Sequence, residues 1–177
     1  MPGNVANPRK QRLERVVHEI APVFDEHSRA LVLGTMPSPA SRAVGFYYGH
    51  PQNRFWRVVA ALWDEPVPAT TQERAAFALR HRFALWDVLA SCDIFGAQDA
   101  TIERPAPNDL ARITEHAPIE TVFTTGAKAA QLYRTMSAPQ LPDLPHIALP
   151  STSSANARMR LHDLVRAYEP LKAACAR

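Results

Sequence analysis

Apolar residues along this chain come in two spacings that take turns. Short unbroken runs at Ala30 to Thr35, Phe83 to Val88, Thr121 to Thr125 and His146 to Leu149 read as strands buried on both faces. Between them the spacing is helical. Leu13, Val16, Val17 and Ile20 fall at i, i+3, i+4 and i+7, which predicts an amphipathic helix over about 9–21. Asn53 to Trp63 carries apolar residues on two adjoining faces and predicts a helix buried on most sides. Thr70 and Glu73 form a capping box for a helix to Arg80. Asn108 caps a short helix carrying Leu110 and Ile113. Gly126 opens a helix with Ala129, Leu132, Tyr133 and Met136 on one face. A last helix runs from about Asn156 through Leu161, Leu164, Val165 and Tyr168. Residues 90–107 read as loop, and residues 1–8, broken by Pro2, Gly3 and Pro8, as a disordered N terminus ahead of one domain over 9–177.

Strands that alternate with helices imply the α/β class. Four strands joined by right-handed crossovers make a three-layer α/β/α sandwich around a central four-stranded parallel sheet. Open sheets of this kind carry their chemistry at the carboxyl ends of the strands. Here those ends are Gly34–Ser38, Asp87, Thr124–Gly126 and Pro150–Ser154.

Composition narrows the classes without choosing one. The 177 residues are 46% apolar and 21% charged, ordinary values for a globular domain with its own core. No apolar run approaches the ~20 residues that span a bilayer, and the first residues lack the layout of a secretory signal, so a cytoplasmic protein is expected. Two cysteines, Cys92 and Cys175, exclude a multi-cysteine metal site and read as reduced thiols. The net charge of +3 permits nucleic-acid binding but does not demand it. Arg9, Lys10, Arg12 and Arg15 cluster near the start as a solvated face, and Arg158 and Arg160 follow the Pro150–Ser153 loop.

One segment stands apart. After the first strand the chain reads Gly34-Thr35-Met36-Pro37-Ser38, and further on Phe46-Tyr47-Tyr48-Gly49-His50-Pro51-Gln52-Asn53-Arg54-Phe55-Trp56. A connection this long needs a reason to exist. Three adjacent aromatics with Asn53 close by suit a flat aromatic ligand, and a nucleobase fits that description.

Together with Leu149-Pro150-Ser151-Thr152-Ser153-Ser154-Ala155-Asn156, these motifs resemble the uracil-DNA glycosylase superfamily over roughly residues 28–172. Two branches are especially similar: the mismatch-specific uracil-DNA glycosylases and, closer, the hypoxanthine (deoxyinosine) DNA glycosylases. The His-Pro-Gln-Asn-Arg-Phe-Trp run is the specific part. The superfamily often has a catalytic Asp or Asn at the third position of the first motif, where this chain has Met36, which can neither polarise nor hold water. In the hypoxanthine branch the resemblance instead implies Asn53 as the catalytic residue. A helix cap alone would also account for Asn53, and one residue can do both.

The resemblance implies that Tyr48 stacks on the flipped base, with core packing as the alternative. Ser38 stands where the most uracil-specific branch carries a bulky Tyr, so the pocket formed with Gly34 and Met36 has room for a purine or a thymine methyl, which keeps a mismatch-specific uracil/thymine glycosylase as an alternative. Asp87 takes the place of an Asn that reads the pairing edge; capping the next turn is the alternative. An ionised carboxylate only accepts hydrogen bonds, so it would take the N1–H of hypoxanthine or the N3–H of uracil and reject adenine and cytosine. Leu149 replaces a His that stabilises the departing base in the uracil-specific branch, which favours hypoxanthine, whose ring nitrogens can be protonated. Ser151, Ser153, Ser154, Asn156 and Arg158 would meet DNA, with Ser154 in place of the expected Pro and Arg158 supplying phosphate or orphan-base contacts.

The implied activity is monofunctional base excision from double- or single-stranded DNA carrying a deaminated base. Neither a metal nor a cofactor is called for, and a monomer is expected. The Asn53 carbonyl would orient the attacking water. Two other classes stand against this. A metal-dependent hydrolase would use His50, His146, His162 and Asp163, but no His-x-Glu or His-Glu-x-x-His spacing supports it. A damage-binding module without turnover is suggested by Met36.

Overall fold

The computed structural model describes residues 12–177. The expectation of disorder over 1–8 therefore lies outside the described residues. The four apolar runs form β2 (Ala30–Gly34), β3 (Phe83–Asp87), β6 (Thr121–Thr125) and β7 (His146–Leu149). They pair in parallel in the order β3-β2-β6-β7, giving the expected four-stranded sheet. Every residue of β2, β3 and β6 is buried, as a strand covered on both faces requires.

Helices flank this sheet. α1 (Pro39–Val44) and α2 (Phe55–Trp63) follow β2, and α3 (Thr71–Arg80) precedes β3 with the Thr70–Glu73 capping box formed. α4 (Ala111–Thr114) leads to β6, and α5 (Ala127–Leu132) leaves it and continues as one π turn over Tyr133–Ser137. α6 (Leu161–Ala167) and α7 (Glu169–Cys175) end the chain. Phe55, Phe83, Leu31, Leu33, Phe123, Leu164 and Tyr168 are fully enclosed between sheet and helices. No helix among the described residues is long and apolar enough to cross a membrane.

Two sequence expectations give way to a second sheet. β1 (Glu14–Val17) lies within the expected 9–21 helix, and all but the first residue of β4 (Leu89–Ile94), with all of β5 (Glu103–Pro107), falls in the expected 90–107 loop. These three strands pair antiparallel in the order β1-β4-β5. In β1 only Val16 is buried, so the strand leaves almost no alternation to read. Pro105 and Pro107 disguise β5, and both are tolerated because β5 is an edge strand. Asn108 does not cap α4. Its Nδ2 donates to the Asp87 and Leu89 carbonyls, 3.0 Å each, and holds the turn between β3 and β4. The last helix begins at Leu161 rather than Asn156, because residues 150–160 are held as a loop by bonds described below.

Candidate active site

The carboxyl ends of β2, β3 and β6 open into a cleft of about 640 Å³. That is within the range of small-ligand sites, ~300–1,000 Å³, and spacious for a purine. Register explains the first two residues. Gly34 and Asp87 are paired neighbours at the ends of β2 and β3. A Cβ on Gly34 would lie 2.4 Å from Asp87 Oδ1, so the missing side chain is what gives the carboxylate its place.

Asp87 Oδ2 accepts from His18 Nε2 at 2.7 Å, and both side chains are almost wholly buried. A histidine just past β1 thus orients the strand-end carboxylate, and the second sheet is what brings it there. Asp87 does not cap a turn through its side chain; it faces the cleft.

The three aromatics divide. Phe46 is core; Tyr47 is buried too, with its hydroxyl on the Ile20 and Ala21 carbonyls, and shows only an edge to the cleft. Tyr48 lines the cleft. One face of its ring stacks on Phe55 at 3.9 Å and 13°, and its hydroxyl is 3.0 Å from Thr125 Oγ1. Tyr48 sits at φ 52°, an uncommon conformation for a bulky residue, held by these two contacts. Burial, with the Asp87 charge second, pushes the Tyr47 and Tyr48 phenols well above their ordinary range, so both stay neutral. Ser38 caps α1, accepting from Ser41 N–H at 3.1 Å, while Ser41 Oγ accepts from Gly49 N–H at 3.0 Å. Those bonds pin both ends of the loop. Half-buried Met36 completes this wall.

Asn53 lines the cleft with its carbonyl already engaged. Its Oδ1 accepts from Phe55 N–H and from Thr152 Oγ1, both at 2.9 Å. The first bond holds the leading N–H of α2 from one residue ahead of its N-cap, Arg54, so Asn53 supports the helix start without being the expected cap. Together the two bonds occupy the carbonyl that was expected to orient water. The Nδ2 group, without a partner among the described residues, is what Asn53 has left to offer the cleft.

Arg54, next in the chain, has no acidic partner among the described residues. Its guanidinium donates to the carbonyls of Thr152, Ser153 at 2.7 Å, Asn156 at 2.9 Å and Met159, and its backbone N–H also reaches Thr152 O. The His-Pro-Gln-Asn-Arg-Phe-Trp run therefore clamps the serine loop onto the first motif. Within that loop Ser151 Oγ accepts from Ser153 N–H, Ser153 Oγ from Ala155 N–H, and Asn156 Nδ2 donates to Ser151 O. Ser151, Ser153 and Asn156 thus shape the loop, while Ser154 and Arg158 are exposed at its surface.

The remaining wall comes from Ile94 at the end of β4 and residues 96–100 of the connection to β5, including Asp99. Thr35 Oγ1 donates to Asp99 Oδ2 at 2.9 Å.

This arrangement has counterparts. The profile of the Uracil DNA glycosylase superfamily matches residues 21–172. The chain belongs to that superfamily. A hypoxanthine DNA glycosylase of Methanosarcina acetivorans is 34% identical over 141 residues, covering 77% of this chain and 85% of that protein. A second, from Methanosarcina barkeri, is 31% identical over 112 residues, or 62% and 71%. A solution structure of a candidate uracil DNA glycosylase from Methanosarcina acetivorans superposes with a TM-score of 0.77 at 27% identity, covering 90% of this chain and 98% of that one.

Within this superfamily fold, sequence reasoning missed His18, Arg54, Asp99 and Thr152 as parts of the site. Each acts on a partner more than sixty residues away, at separations of 69, 99, 64 and 99. No local pattern carries such a pairing. The one available signal was Arg54 itself, inside the specific motif.

Proposed function

We propose that this superfamily member is a monofunctional DNA glycosylase that flips a deaminated base, hypoxanthine first and uracil second, out of DNA and hydrolyses its glycosidic bond. The observation that carries this reading is the convergence of Asp87, Tyr48 and Asn53 on one cleft with room for a purine. The similarity to two hypoxanthine DNA glycosylases supports it.

Flipping costs a few kcal/mol, least for a mispaired base. Exposed Arg158 and Ser154 on the clamped loop approach the backbone, where cationic and small polar groups position a duplex. The outer face of Tyr48 takes the base, a stack that contributes about 1–3 kcal/mol. Asp87 Oδ1 accepts the N1–H of hypoxanthine, while Oδ2 stays with His18. Adenine, with no hydrogen at N1, would set a lone pair against the carboxylate. That polar mismatch in a closed site is the strong form of discrimination.

Cleavage builds an oxocarbenium-like sugar. Asn53 Nδ2–H donates to one lone pair of a water and leaves the other to attack. An amide activates water weakly, but positioning next to so reactive a cation is enough. The difficult step is then departure of the base. A lysine nucleophile is missing from both motifs, so water and not an amine completes the reaction.

The test is a panel of labelled duplexes carrying one deoxyinosine, deoxyuridine or undamaged deoxyadenosine, with chelator present and free base identified by mass. Hypoxanthine release with adenine retained is the expected result. Tight binding of inosine DNA without base release would replace this reading with a non-catalytic damage-binding module.

A further inference from the structure

Asp99 is the cleft carboxylate that neither the first motif nor the serine loop accounts for. It sits on a short 3-10 turn, Asp99–Thr101, in the connection from β4 to β5, and lines the same cavity as Gly34, Met36, Tyr48 and Asp87. Its Oδ2 accepts from the hydroxyl of Thr35, the residue that follows Gly34. Oδ1 has no hydrogen-bond partner among the described residues. The charged groups acting on it are the Asp87 carboxylate from β3 and the Lys128 ammonium from α5; no cation forms an ion pair with it among the described residues. Burial is the main influence and raises its titration above the ordinary carboxylate range; Asp87 raises it further, and the Thr35 bond and Lys128 oppose this.

Two carboxylates in one cavity thus have different surroundings. Asp87 is matched to a buried imidazole; Asp99 is matched to a neutral hydroxyl. Sites that divide acid and acceptor roles between two carboxyl groups are built this way. We propose that Asp99 is a further catalytic residue, the acid that protonates the departing purine at N7. The inference rests on the glycosylase reading above and supplies what that reading lacks, since Met36 and Asn53 provide no help to the leaving group. With Oδ2 accepting from Thr35, the proton is on Oδ1. It passes to N7 as the C1′–N9 bond breaks, and the bond's electron pair stays on the purine, which leaves neutral. Water oxygen bonds to C1′ and gives up one proton, which restores the Asp99 acid.

The experiment is single-turnover release of hypoxanthine by wild type and Asp99→Asn across pH, repeated on 7-deaza-2′-deoxyinosine, whose base has no N7 to protonate. The amide oxygen of the variant still accepts from Thr35, so the loop tether survives, and a melting curve confirms folding. The expected result is a fall of about 100-fold or more on deoxyinosine. The wild-type rate falls as pH rises through the Asp99 titration, and that limb is absent in Asp99→Asn. On the 7-deaza analogue both enzymes are equally slow. An Asp99→Asn rate within a few-fold of wild type on deoxyinosine overturns the proposal. So does a variant slowed as much on the analogue as on deoxyinosine, which would make Asp99 a tether. Wild type that releases no hypoxanthine refutes the glycosylase reading, a different failure from either of these.

Discussion

Adding one methyl group at Gly34 should cost several times what a methyl normally costs, and the cost should vanish when Asp87 is absent. The Cβ of Gly34→Ala would stand 2.4 Å from Asp87 Oδ1, so the carboxylate must leave its position. Leaving breaks the 2.7 Å bond from His18, in surroundings where both side chains are nearly water-free. A hydrogen bond to a charged group contributes about 1.5–3 kcal/mol. Forcing a short side chain off its rotamer adds about 0.5–1.5 kcal/mol. Replacing Gly by Ala at a compatible backbone returns about 0.4–1 kcal/mol through the unfolded chain. The net expectation is destabilisation by about 1–4 kcal/mol. In an Asp87→Ala background only the last contribution remains, and Gly34→Ala becomes slightly stabilising. Denaturant unfolding of the four proteins closes the cycle. If the two substitutions add within about 0.5 kcal/mol, the carboxylate does not occupy the space over Gly34 and the assignment of Asp87 to the cleft fails.

Other consequences can be checked independently. Arg54→Lys keeps the charge but loses the planar fork that reaches four carbonyls, so the serine loop should loosen; DNA affinity and excision fall together, and proteolysis within 150–160 quickens. Tyr48→Leu should weaken binding of inosine duplex by about 1–3 kcal/mol, read by fluorescence anisotropy, with undamaged duplex nearly unaffected. Arg158→Ala should weaken binding to all sequences alike and reduce the salt slope by about one; a change confined to inosine duplex would place Arg158 at the orphan base instead. The raised titration of Asp99 has a sign for stability too. The stabilising influence of its protonated form is fully present below the unfolded-state value and is lost as pH rises through the folded value. Melting temperatures of Asp99→Asn should therefore gain on wild type as pH increases through that window, and a constant difference would contradict the burial argument.

The sheet was legible because strands covered on both faces must be apolar along their whole length. β2, β3 and β6 are, and the cleft lies at their carboxyl ends. β1, β4 and β5 were not legible for the opposite reason. A small sheet with one buried residue in β1 and two prolines in β5 is held by pairing, which leaves little trace in composition. The site divides along the same line. Tyr48, Asn53 and the serine loop belong to contiguous motifs, so their place at the cleft could be read from sequence. His18 and Asp99 are supplied by the small sheet, so they became visible only when that sheet was. Even at Asn53, sequence could name the residue but not its free atoms. That its carbonyl is taken by Phe55 and Thr152 is a fact of tertiary structure.

The most direct test of the account is the rate of hypoxanthine release from a duplex with a single deoxyinosine, enzyme in excess, for wild type and Asn53→Ala. Loss of a preorganised polar group at the reacting centre is worth about 3 kcal/mol, or roughly two orders of magnitude in rate. Release by wild type that falls by that amount in a folded Asn53→Ala variant is the result predicted here. An Asn53→Ala enzyme that releases hypoxanthine at nearly the wild-type rate would contradict the account, and leave Asn53 as only a brace between the start of α2 and Thr152.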